Sequence, residues 1–186
     1  MKQKFSANGK LKESLAVGIG KKVIFVVLII AFFTPVSRGQ IVIDEVMANN
    51  KTFIKSNTGK YSDWFELYNK GTDSVDIAGW MISDDPGNPS RYVIPSGMSD
   101  STIIYPHGFM VLWADGGISA GIRHLPFKLK KKREILAIYS LQQGNPVCID
   151  SIRYQSMRPD ISFGRKPDGE KSWTNFKNPT PGTKNF

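Results

Sequence analysis

"SDWFELYN", residues 62–69, sets Asp63 ahead of Trp64 and Glu66 two places behind it. In a helical turn two such carboxylates could share an ion or a substrate proton. In a strand they could not, because successive side chains point to opposite faces. A strand register groups Asp63 with Phe65 and Leu67, and Glu66 with Trp64 and Tyr68. An acid pair for glycoside hydrolysis needs its carboxyls roughly 5 to 10 Å apart across one cleft, and alternation turns these two away from each other. The segment therefore predicts a strand with Phe65 and Leu67 packed inward. Trp64, Glu66 and Tyr68 form its second face, aromatic carbon around a single acceptor. Asp63, at the strand entry, is placed to accept backbone N–H groups of the preceding turn.

The same rhythm continues along the chain. From Ile41 onward there is no sustained 3.6-residue apolar period; short alternating or apolar runs are interrupted by Gly, Pro, Asn and Asp, the pattern of an all-β fold. Strands are predicted over residues 41–47, 63–69, 74–77, 80–83, 91–94, 101–104, 109–114, 126–130, 134–140 and 147–154. The intervening "NKGTD", "DDPGNPS", "YPHG", "DGGISAG" and "QQGNP" carry turn chemistry. Eight to ten strands in one domain imply two sheets packed face to face. The closing "NPTPGTKNF" reads as an extended tail.

The net charge of +9 over 186 residues is unevenly placed. Residues 1–39 hold seven of the cations against the single acid Glu13, which leaves +3 for residues 40–186. That basic start runs into "VIFVVLIIAFF", residues 23–33, and then Pro35, Ser37 and Gly39. A basic region, a short apolar region and small residues spaced for cleavage predict a secretory signal peptide over 1–39. The apolar run falls short of the ~20 residues that cross a bilayer core; an uncleaved anchor is the alternative, and the only membrane contact foreseen. Residues 40–186 make one domain, exported to the periplasm, the cell surface or the medium. Its one cysteine, Cys148, is read as a small apolar residue in a strand, so no internal disulfide supports the fold and core packing must.

Seven phrases carry a resemblance. "IVIDEVMANN", "SDWFELYNKG", "VDIAGWMISDD", "GFMVLWADG", "FKLKKKREILAIY", "DISFGRKPDG" and "NPTPG" follow one another over residues 41–185 in an order that resembles the bacterial lamin tail domain. The resemblance implies an immunoglobulin-like β-sandwich, in which Asp63, Trp64, Glu66, Tyr68, Trp80, Trp113, Gly164 and Arg165 are structural positions. It also implies an accessory module, since bacterial relatives accompany secreted enzymes or surface proteins. The heptad rod of nuclear lamins is absent, so filament formation is not implied.

Catalytic signals are lacking. His107 and His124 have no metal-ligand spacing, no serine stands in a G-x-S-x-G elbow, and "DGGISAG" fits no phosphate-cradling pattern. A structural Ca2+ could draw on Asp84, Asp85 and Asn88 of "SDDPGNP" together with Asp115, although turn formation explains the same residues. The run "KLKKKR" offers Lys128, Lys130, Lys131, Lys132 and Arg133 to an anionic partner; a solvated hairpin tip that discourages edge pairing is the plainer reading. The expected protein is a non-catalytic binding, adhesion or structural module at the bacterial envelope, without cofactors, meeting an envelope polymer or protein. Nucleic acid is disfavoured because aromatic residues are not interleaved with the charges. The alternatives are a polymer-acting hydrolase using loop carboxylates, or a detached accessory domain of a secreted enzyme.

Overall fold

The computed structural model describes residues 40–186, so the leader expected over 1–39 lies outside the described residues. The strands in chain order are β1 (Ile41–Met47), β2 (Asp63–Asn69), β3 (Val75–Asp76), β4 (Met81–Ser83), β5 (Tyr92–Val93), β6 (Ile103–Ile104), β7 (Phe109–Ala114), β8 (Lys132–Gln142), β9 (Asn145–Ser156), β10 (Ser162–Arg165) and β11 (Trp173–Phe176). A five-stranded sheet runs β11-β10-β1-β2-β7, a four-stranded sheet runs β5-β4-β8-β9, and β3 pairs with β6. Every pairing is antiparallel. The protein is an all-β, immunoglobulin-like sandwich.

Alternation fills the space between the sheets. Ile41, Ile43, Val46 and Ala48 from β1 and its end, Phe65 and Leu67 from β2, and Met110, Leu112 and Ala114 from β7 meet Ile82, Leu136, Ile138, Ile152 and Tyr154 of the other sheet in one buried core. The inward set of β1 changes parity after Ile43 because the β1–β2 register slips between Ile43 and Glu45. That bulge leaves Val42, Glu45 and Met47 opposite Tyr68, Glu66 and Trp64 on the face turned away from the core.

Three sequence expectations change. Residues 99–102 form a short helix, α1 (Ser99–Thr102), ahead of β6, where a strand was expected from Ser101. Residues 126–130 make only an isolated bridge, Asp115 to Lys128, although Phe127 and Leu129 are buried and Lys128 and Lys130 exposed as alternation requires. The last thirty residues add β10 and β11, and the segment read as a tail closes over the outer face of the five-stranded sheet.

That closure explains why β2 is buried on both faces: Trp64 and Glu66 have no exposed surface. Glu66 accepts the Gly182 amide. Glu45, its cross-strand partner, accepts the Ser162 hydroxyl and both the amide and hydroxyl of Thr180, at 3.2 and 3.1 Å to Oε2. Asp44 accepts the Gly169 amide at 2.7 Å and the Asn185 side-chain amide at 2.8 Å. The outer face is thus a second interior, made polar and closed by backbone and side-chain donors. Burial pushes the Glu66 carboxyl up to about 9, offset in part by the Gly182 amide and reinforced by the charges of Glu45, Asp44 and Asp168. Asp44 rises to about 7, again chiefly through burial, and Glu45 rises for the same reason.

Arg165 holds this region together. Its Nε donates to the Ile43 carbonyl at the bulge at 2.8 Å, one terminal nitrogen lies 2.9 Å from Asp150 on β9, and its guanidinium sits 4.7 Å from the Trp173 ring. The contact with Asp150 joins the two sheets, since Asp150 also accepts the Ile43 amide at 2.8 Å. Gly164 is required by close approach: a Cβ there would meet Glu45 Cγ and Phe176 Cε2 at 3.0 Å and the Asp44 carbonyl oxygen at 3.1 Å.

Candidate functional site

The β1–β2 connection, the start of β2, the end of β7 and the segment before β8 meet at one end of the sandwich. They enclose a cleft of about 290 Å³ lined by Asn49, Asn50, Lys51, Lys60, Tyr61, Ser62, Asp63, Ala114, Asp115, Lys128 and Lys131. Register produces this meeting: Asp63 pairs with Ala114 across β2 and β7, and Asp115, the next residue, bridges to Lys128.

The cleft carries four lysines and two carboxylates, and both carboxylates are engaged. Asp63 accepts the Asn50 amide at 3.0 Å. Burial raises its carboxyl pKa, with that amide and the charges of Lys131, Lys51 and Lys128 pulling the other way. Asp115 faces His124 Nδ1 at 2.6 Å, while His124 Nε2 meets Asn57 Oδ1 at 2.7 Å. Buried His124 therefore ties the β7 end to the β1–β2 connection, a structural task for a residue whose sequence context offered no partner. In contrast, Lys51, Lys60, Lys128 and Lys131 have no carboxylate within ion-pair distance among the described residues.

The lining is predominantly basic. Lysines supply positive charge, exposed Tyr61 offers an aromatic ring with Lys55 Nζ 5.1 Å from its centre, and Asn49 Oδ1 is a buried acceptor with no partner.

The structure separates the residues of the basic run. Lys128 and Lys131 line the cleft; Lys130 is tied to Glu134 by its amide and, at 3.2 Å, by its ammonium group. Lys132 opens β8 opposite Ser156, and exposed Arg133 follows with a φ of 51°. Lys51, Lys60, Tyr61 and Asn49, which carry the rest of the cleft, lie in a connection whose composition gave no functional sign.

The calcium candidates do not assemble. Asp84 pairs with Arg91 at 2.5 Å, Asp85 accepts the Gly87 amide at 2.9 Å, Asn88 accepts the Ser90 hydroxyl at 3.4 Å, and Asp115 belongs to the His124 pair. Among the described residues no group of three or more His, Cys, Asp or Glu side chains is placed to hold a metal ion. The four residues do not fit a shared cation site, and Asp85 makes the turn expected of "DDPGNP". Asp63 and Glu66 share no hydrogen-bond partner. His107 lies 3.3 Å from the Tyr68 hydroxyl, and Cys148 stands in a strand, β9, as a free, exposed thiol. Of the tryptophans, Trp64 and Trp80 are buried, whereas Trp113 and Trp173 are half-buried; Trp173 stacks on Phe163 with ring centres 5.1 Å apart.

At a coarse level the β-sandwich supports a module of binding or structural type. The family model for the lamin tail domain matches residues 34–156, more than half of the chain, and the chain belongs to that family. The match ends with β9, so β10, β11 and the closing segment lie beyond it. No curated protein and no solved structure matches the chain.

Proposed function

We propose that this lamin tail domain protein is exported and works at the bacterial envelope as an adhesion module that holds an anionic polysaccharide. The basic cleft is the contact. The observation that carries the reading is its charge balance: four lining lysines, none within ion-pair distance of a carboxylate among the described residues, outnumber the two lining acids, which hydrogen-bond Asn50 and His124 instead. A cleft of net positive charge concentrates counter-charged ligands and speeds their capture, and Tyr61 supplies an exposed ring of the kind sugar recognition uses.

The test is calorimetric titration of the full-length chain with polygalacturonate at two salt concentrations. Lys51→Glu/Lys131→Glu is expected to abolish binding, while Lys70→Glu, a substitution outside the cleft, leaves it intact. Equal binding by both variants would refute the assignment. A second reading follows from Asp63 and Asp115 lining the same cleft: a polymer hydrolase with Asp63 as the acid, its carboxyl already raised by burial. Release of new reducing ends from the same polymer, lost in Asp63→Asn, would establish that reading instead.

A further inference from the structure

We infer that the glycan recognised by the basic cleft is a repeating polyanion that crosses into a second subsite, so that the basic end of the sandwich forms one track. The inference rests on the reading of the first cleft given above. A second cleft, of about 390 Å³, lies where β9 ends and is lined by Ser156, Arg158, Ile161, Asn175 and Lys177. Two cations line it and no acid does.

The rib between the two clefts is residues 156–161. On one side it is bonded to residues of the first cleft. The Met157 amide donates to the Lys131 carbonyl at 2.9 Å, and the Asn49 side-chain amide donates to the Met157 carbonyl at 3.3 Å. The Asp160 amide donates to the Asn49 carbonyl at 3.0 Å, and the Asp160 carboxylate accepts the Lys51 amide at 2.6 Å. On the other side the rib's own Ser156, Arg158 and Ile161 face the second cleft. Lys128 and Lys131 of the basic run line the first cleft, and Lys132 stands opposite Ser156 in the β8–β9 register.

Charge along this path is net positive: the lysines of the first cleft with Arg158 and Lys177 make six cations against Asp63, Asp115 and the rib's Asp160. Asp160, the acid on the rib, accepts the Lys51 and Thr52 amides and the Thr52 hydroxyl; against a small desolvation those donors hold its carboxyl below the ordinary range, so it stays charged with its oxygens turned toward residues 51 and 52. Arg158 and Lys177, like the lysines of the first cleft, have no carboxylate within ion-pair distance among the described residues. Cations from residues 51 to 177 thus come together, although of them only Lys128 and Lys131 lie in a local run. Tyr61 is the one aromatic residue lining either cleft, too few for the successive base stacking of single-stranded nucleic acid; repeating carboxylates on a sugar chain fit better.

Two subsites on one chain make the second contact intramolecular, which can raise avidity by about 10²- to 10⁴-fold. The experiment titrates the full-length chain with oligogalacturonates of three and twelve residues, and with single-stranded DNA of matched charge. The twelve-residue chain is expected to bind at least about tenfold more tightly than the trimer. Arg158→Glu/Lys177→Glu, and the milder Arg158→Ala/Lys177→Ala, should remove that gain and leave trimer affinity unchanged. Length dependence that survives both variants overturns the inference. So does trimer binding by the wild type with no gain at twelve residues, which leaves the first cleft standing. Failure of both oligosaccharides refutes the first-cleft reading as well, and tighter binding of DNA refutes the glycan class. Thermal unfolding of each variant identifies any that fails to fold, and the alanine pair then decides.

Discussion

Glu66→Gln isolates the energetic consequence of burying a carboxyl under the closing segment. Glu66 has no exposed surface and its pKa is pushed up to about 9, while an unfolded chain releases that proton near the ordinary value of 4.5. Folding therefore takes up a proton between those values. The stability linked to protonated Glu66 is fully present below about 4.5 and is lost as pH rises toward 9, at about 1.4 kcal/mol per pH unit, or on the order of 6 kcal/mol over the interval. The glutamine side chain of the variant cannot titrate but keeps an oxygen for the Gly182 amide. Asp44, raised to about 7, adds its own slope at lower pH in both proteins, so the contrast is cleanest from pH 7 to 9. There the stability of the variant relative to wild type should grow by about 2.3 kcal/mol, at about 1.4 per unit near pH 7 and half that by pH 9. Urea unfolding by tryptophan fluorescence at half-unit intervals measures it. Parallel stability curves for the two proteins across that window would refute the reasoning.

Gly164→Ala is expected to destabilise by about 1 to 3 kcal/mol, because its methyl would press on the Asp44 backbone oxygen as well as on two side chains; chemical denaturation reads this out, and an unchanged midpoint would show that β10 gives way. Arg165→Met should cost roughly 3 to 5 kcal/mol by leaving Asp150 and the Ile43 carbonyl without their shared donor, and a loss below about 1 kcal/mol, a surface-pair value, would remove Arg165 as the tie between the sheets.

The strands that alternate over six or seven residues were legible: β1, β2 and β7 start and stop where the sequence predicts them. The four-residue β10 and β11 were not, since their flanks of Asp, Pro and Gly read as turns and so short an alternation carries little signal. Glu66 shows the same limit at one residue. Alternation gives its face correctly, but its burial depends on a segment more than a hundred residues away whose contribution is backbone N–H groups, which every sequence has. Of the candidate site, Lys128 and Lys131 stood out because they lie in a run. Lys51 and Lys60 are scattered single charges until the β1–β2 connection brings them beside that run, and Asp115 gains its role only when His124 folds against it. Carboxylates in "SDDPGNP" attracted a metal reading because turn formation and calcium ligation use the same residue types.

The basic end of the sandwich is tested most directly by mapping amide chemical shifts of the isotopically labelled protein during titration with polygalacturonate. Movement centred on Lys51, Lys60, Tyr61, Lys128 and Lys131 is the predicted result. Shifts centred instead on the β8–β9 hairpin around Gln143 and Gly144, with the cleft unmoved, would contradict it.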